Sequence, residues 1–211
     1  MIGPVTVDTR VFDRRMLRLS ADLQKKVRMK ALNDAAVQTR NRAQRDIGKT
    51  LNLPAKKIKE KLPVKRASFR AGELYSSVLG QYAPVGIQSF IGWRYVGKQR
   101  GRNLTMTAKR TMFESRGKAG LFVKQHKGQP TMRFKMAFPL RAGSFFQRDL
   151  PSTSKSPKGW SKNMPIQRIV GASPWAEFAE WIRRNRRIPR EIYLRRLEYW
   201  IGESITKQYG S

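Results

Sequence analysis

The amino-acid sequence predicts an α+β fold: a long N-terminal helix, a central antiparallel sheet with long basic loops, and a C-terminal helix pair. Three observations predict it. Residues 22–51 contain neither Pro nor Gly until Gly48, and Leu32, Ala36, Ala43, Ile47 and Leu51 recur at helical spacing. Residues 64–170 hold short apolar segments interrupted by Gly, Pro and Ser. From Ser173-Pro174 onward the helical period returns. Helices, then strands, then helices is the order of an antiparallel sheet covered by helices, in a single domain over 1–211.

Residues 1–12 are β-like, with Val5, Val7 and Val11 alternating with polar residues, and Asp13 or Ser20 is placed to cap the long helix. The Ala-rich stripe of that helix suits a packing face, because small side chains let a neighbouring element approach closely. Pro54 sits at the start of a short helix, Ala55–Leu62, whose exposed side is Lys56, Lys57, Lys59 and Lys61, and Pro63 ends it. Strand-like segments follow at Val64–Phe69, Glu73–Leu79 and 85–97, the last punctuated by Gly86, Gly92 and Gly97 so that a bulge or break is expected. Residues 98–118 and 142–163 read as extended loops, the first basic and open to a hairpin reading, the second rich in Ser, Pro and Gly. Between and after them, 120–126, 131–140 and Met164–Val170 read as strands, the middle one with Met132, Phe134, Met136 and Phe138 on one face. Ser173 then caps a helix with Pro174 in its first position and Trp175, Phe178, Ala179 and Ile182 as its stripe. Its end is the cationic run Arg183-Arg184-Asn185-Arg186-Arg187. Pro189 opens the last helix, with Leu194, Leu197, Ile201 and Ile205 as its stripe and Gly210 at its end.

Charge is the second strong signal. The chain has 45 Lys and Arg against 14 Asp and Glu, a formal +31 at pH 7 over 211 residues. With 39% apolar residues it has enough for a core, so it is not a disordered basic tail. Self-repulsion of this size calls for a polyanion or an acidic protein surface as partner. No cysteine is present, which excludes disulfides, thiolate metal sites and a thiol nucleophile. No apolar run approaches the roughly 18 residues of a membrane span, so no membrane partner is expected. The N-terminal segment lacks a basic stretch followed by a long apolar one, so no signal peptide is expected either.

Catalytic patterns are weak. The single histidine, His126, lies between lysines in VKQHKG and reads as an incidental strand-end residue rather than a general base. The acids are scattered, and no zinc ligand set is available. GKTL at Gly48–Leu51 lacks the earlier glycine and the following helix of a P-loop, and GIQSFIGWRYVG lacks the dinucleotide-binding spacing. The expectation is a protein that is not an enzyme and needs no cofactor. The candidate site is a basic one: Arg94, Lys98, Arg100, Arg102, Lys109 and Arg110 supply cations for nucleic-acid phosphates. Trp93 and Tyr95 beside them suit base stacking, and suit a core equally well. No helix-turn-helix, zinc-finger or RNA-binding signature accompanies them, so contact is expected with backbone and not with bases.

The order of segments carries a resemblance. ALNDAAVQTRNRAQRDIG (Ala31–Gly48) precedes a lysine helix and VKRASFRAGEL (Val64–Leu74); a glycine-punctuated basic middle follows. AFPLRAG (Ala137–Gly143), MPIQRIVGASPWAEF (Met164–Phe178) and IPREIYLRRLEYWI (Ile188–Ile201) come after. This resembles the phage minor tail protein Z family, the tail-completion proteins of lambda-like tails, over roughly residues 25–205. The chain departs from that pattern in its Ser/Pro-rich 150–163 segment and its aromatic C-terminal region. The resemblance implies a tail-completion or terminator-like α+β unit in the virion, at the tail neck, assembled in the host cytoplasm. It implies a homo-oligomeric ring in the particle, next to the tail terminator or tube protein and the head–tail connector proteins. It also implies a role in head–tail joining and in seating the DNA end, with backbone contact to the genome end. A sequence-nonspecific nucleic-acid-binding protein is the alternative.

Overall fold

The computed structural model describes residues 15–17, 19–68, 74–80, 83–99, 102–107, 120–134, 137–139, 144–148 and 166–209. The fold is α+β, with the long N-terminal helix and the C-terminal helix pair in place. Within the stretch read as one domain, the chain clusters into two compact units. The first comprises residues 1–47, 58–82 and 175–211; the second comprises 48–57 and 83–174. The expected first strand at 1–12 and the cap Asp13 lie outside the described residues.

The first unit is built on α1 (Ala21–Thr50). Ser20 directly precedes it, and the Ser20 carbonyl accepts the Gln24 N–H at 2.9 Å. Its buried residues are Val27, Ala31, Ala35, Thr39, Ala43 and Ile47, a strict four-residue repeat. Each such step overshoots a turn by about 40°, so the buried row winds around the helix. The expected stripe therefore holds at Ala43 and Ile47 but is displaced by one residue earlier, where Leu32 and Ala36 are only half-buried. Val27, Ala31 and Ala35 pack with Tyr193, Leu197 and Ile201 of α4 (Arg187–Tyr209), and Met16 and Leu19 close the same cluster. Both helices present rows at four-residue spacing, the ridges that interdigitate in helix packing.

α3 (Pro174–Arg184) precedes α4 and buries Phe178, Trp181 and Ile182, with Trp175, Phe178 and Trp181 stacked at 5.5 and 6.2 Å between centroids. Asn185 turns the chain between the two helices: its side-chain Nδ2 donates to the Trp181 carbonyl at 2.9 Å. Two indoles tie this pair to α1. Trp181 Nε1 donates to Asp46 Oδ2 and Trp200 Nε1 to Asp34 Oδ2, each at 3.0 Å. Asn33 makes a paired contact with Ala67: it accepts the Ala67 N–H at 2.8 Å and donates to the Ala67 carbonyl at 3.2 Å. The ALN and VKRA segments thus meet through one amide.

The short α2 (Ala55–Glu60) ends two residues before the expected Leu62. The Lys61 and Leu62 N–H groups bond back to the Ile58 and Lys59 carbonyls at 3.2 and 3.1 Å, tightening the last turn before Pro63. β1 (Val64–Lys65) and β2 (Ser77–Val78) pair antiparallel, Val64 opposite Val78.

The second unit holds two antiparallel sheets where a single central one was expected. One has the order β4-β3-β5-β6, from β3 (Arg94–Gln99), β4 (Arg102–Thr107), β5 (Gly120–Val123) and β6 (Met132–Phe134). The other has the order β7-β8-β9, from β7 (Phe138–Pro139), β8 (Phe145–Arg148) and β9 (Ile166–Arg168). The expected break in 85–97 is there: a 3₁₀ turn at Ile87–Ser89 gives way to β3 through Gly92, whose φ of 73° favours glycine. Both expected loops need correction. Residues 98–99 and 102–107 are strand, a hairpin whose RNLTMT strand alternates polar with apolar residues, and the other residues of 98–118 lie outside the described set. In 142–163, Phe145–Arg148 is strand, paired on both edges, and 149–163 lies outside the described set. Among the described residues no helix is long and apolar enough to cross a membrane.

Candidate functional site

Alternation along β3 sorts its residues. Tyr95 is half-buried, and it and Trp93 flank the buried Phe145 ring, each centroid 5.4 Å from it. These two aromatics belong to the packing of the second unit, and burial pushes the Tyr95 phenol above its ordinary value. Arg94, between them, is exposed.

Register then places Arg94 in a specific row. It lies opposite Phe122 of β5, and Phe122 lies opposite Arg133 of β6. Residues directly opposite share a sheet face, so Arg94, Phe122 and Arg133 form one transverse line. The guanidinium carbons of Arg94 and Arg133 stand 4.7 and 5.6 Å from the Phe122 centroid. Both arginines are exposed and the ring is half-buried. Each such contact at an exposed site is worth about 0.5–1 kcal/mol. The opposite face carries Leu121 and Val123, fully buried.

The row stands in an unbalanced field. The second unit's residues include 21 Lys and Arg and only two acids, Glu114 and Asp149, a net +19; the first has 24 against 12, a net +12. Three-fifths of the excess charge is therefore in the sheet-bearing half of the chain.

The six expected site residues divide as follows. Arg94 is exposed on β3; Lys98 pairs in register with Asn103, and Arg102 with Gln99, so these two lie on adjacent strands of the hairpin. Arg100, Lys109 and Arg110 lie outside the described residues. Phe122 and Arg133 were missed. The alternation of Met132, Arg133 and Phe134 was visible, but only strand register brings Arg133 beside Arg94.

A second polar centre in this unit is structural. Asn52 Nδ2 donates to the Ile91 and Lys124 carbonyls at 2.8 and 3.0 Å; its N–H donates to Gln125 and its carbonyl accepts from Ile91. Lys127 completes the junction, its Nζ 2.6 Å from the Gly48 carbonyl and its N–H on the Thr50 carbonyl, a cation at the end of α1. His126 is half-buried and forms an isolated bridge with Leu51. Among the described residues, no group of three or more His, Cys, Asp or Glu could hold a metal ion. No protein-family model, curated protein or solved structure matches the chain.

Proposed function

We propose that this chain is a structural protein of a phage virion, placed at the head-proximal end of the tail, where it completes the tail, helps join it to the head and helps seat the DNA end. It acts as a ring of copies between the tail terminator or tube protein and the connector proteins, without catalysis. The observation that carries this reading is the segregated charge: 21 cations against two acids in the second unit. Copies so charged repel one another unless polyanionic or acidic surfaces lie between them, and a neck offers both a genome end and neighbouring proteins. The ordered segments that resemble tail-completion proteins point the same way.

The same charge also favours a second reading, a sequence-nonspecific nucleic-acid-binding protein outside any particle. Mass spectrometry of purified virions, with electron microscopy of labelled chains, separates the two. The expected result is a fixed small copy number confined to the neck. Absence from particles, with the chain spread over cellular nucleic acid, overturns the virion reading and leaves the second.

A further inference from the structure

We propose that the Arg94–Phe122–Arg133 row on the four-stranded sheet is a contact for the phosphate backbone of double-stranded DNA. It rests on the neck reading only for where that DNA is met. Two guanidinium groups from strands on either side of β5 share one ring, and this restricts their rotamers before any ligand arrives. Binding then loses less side-chain entropy than it would with free arginines. A guanidinium carries five N–H donors in a rigid fork suited to phosphate oxygens. Among the described residues, Arg94 has no carboxylate partner.

The unit around the row selects the partner. With +19 and two acids, its own sequence supplies almost no counter-charge. Duplex DNA presents one charge per about 1.7 Å of its axis, in a regular array that rows of cations match. An acidic protein surface offers carboxylates at lower and irregular density. The row lies on a sheet face, and its two cations are backbone-type donors flanking a ring already in use. The contact therefore positions DNA without reading its sequence.

The test is binding of a mixed-sequence duplex to the full chain, followed by fluorescence anisotropy over a salt series. Arg94→Ser with Arg133→Ser is expected to lower the log–log salt slope by about 1.8, at roughly 0.9 per phosphate released. Arg186→Ser with Arg187→Ser removes the same charge from exposed positions of the first unit and is expected to keep the slope. Phe122→Leu keeps both cations, so it is expected to keep the slope and to bind more weakly. Helical circular dichroism and thermal unfolding check that each variant is folded. Equal slope loss in the two double variants, an unchanged slope in the first, or no duplex binding by the parent chain overturns the proposal; a gain of binding only to an acidic protein does so too. These outcomes are independent of the particle test. A neck protein whose row does not touch DNA loses only this inference, and a DNA-binding chain absent from virions loses only the neck reading.

Discussion

The two units handle charge and cohesion in different ways. In the first, acids are plentiful and engaged. Asp34 and Asp46 accept indole N–H groups, while Glu180, Glu198 and Glu203 pair with Arg183 and Arg184, Arg15, and Lys207. Such exposed ion pairs contribute little stability, about 0–1 kcal/mol each; their effect is to lower the local field. Cohesion there comes from apolar rows of α1 and α4. The second unit has almost no acids, and several of its segments are joined by amides and backbone bonds around Asn52 and Lys127. A helical half that balances its own charge and a sheet half that does not are what a protein needs if one part sustains the fold and the other meets a polyanion.

Leu197→Ala tests that contrast most strongly. Leu197 is 1% exposed within the α1–α4 cluster, and its truncation is expected to cost about 2–5 kcal/mol by denaturant unfolding. Hydrogen exchange is expected to show lost protection in 21–47 and 187–209, with β3 and β5 amides less affected. A uniform loss across both units would break the comparison.

Asn52→Ala is expected to cost less, about 1–3 kcal/mol, because it leaves the Ile91 and Lys124 carbonyls without their amide donor. Its signature is faster exchange in the segments around 91 and 124–127, while the α1–α4 pair keeps its protection. If the helices lose protection first, amide stapling does not distinguish the second unit.

The smallest effect is one of pH. Burial raises the Tyr193 phenol above its ordinary value, and Arg28 offsets part of that rise. Below about pH 10 folded and unfolded chains both hold this proton. As pH rises further the unfolded chain loses it first, so stability falls between the ordinary phenol value and the raised one. Tyr193→Phe is expected to remove that component from the alkaline stability profile and the late step from a phenolate absorbance titration. An unchanged profile would show that the α1–α4 core does not shield this group.

The helices were legible because their ends carry chemistry that acts locally. Ser20, Pro54, and Ser173-Pro174 mark starts within a residue, and a pattern of 3.6 persists over many turns in α1 and α4. The exact buried row of α1 was not legible, since Leu32 and Ala31 are both acceptable at helical spacing and only the partner helix decides between them. Strands were found as segments but with loose ends, as at 131–140, where strand is described at Met132–Phe134 and Phe138–Pro139. The candidate site was half visible. Arg94 stood out by its neighbours, whereas Phe122 and Arg133 became part of the same line only through pairing of β3 with β5 and β5 with β6. Trp93 and Tyr95 show the converse: adjacent in sequence to the cations, they serve Phe145.

Gly171 illustrates how this architecture limits drift in sequence. Its N–H donates to the Val85 carbonyl at 2.9 Å, and a methyl group added to it would run into the ring of Phe90, itself 1% exposed. The two positions form a single volume shared between a backbone and a ring. Alanine at 171 is tolerable only with a smaller side chain at 90, so the pair is expected to covary among homologues. The order of change is constrained as well: shrinking residue 90 first leaves a cavity, whereas enlarging residue 171 first forces the strands apart, so viable lineages pass through the cavity.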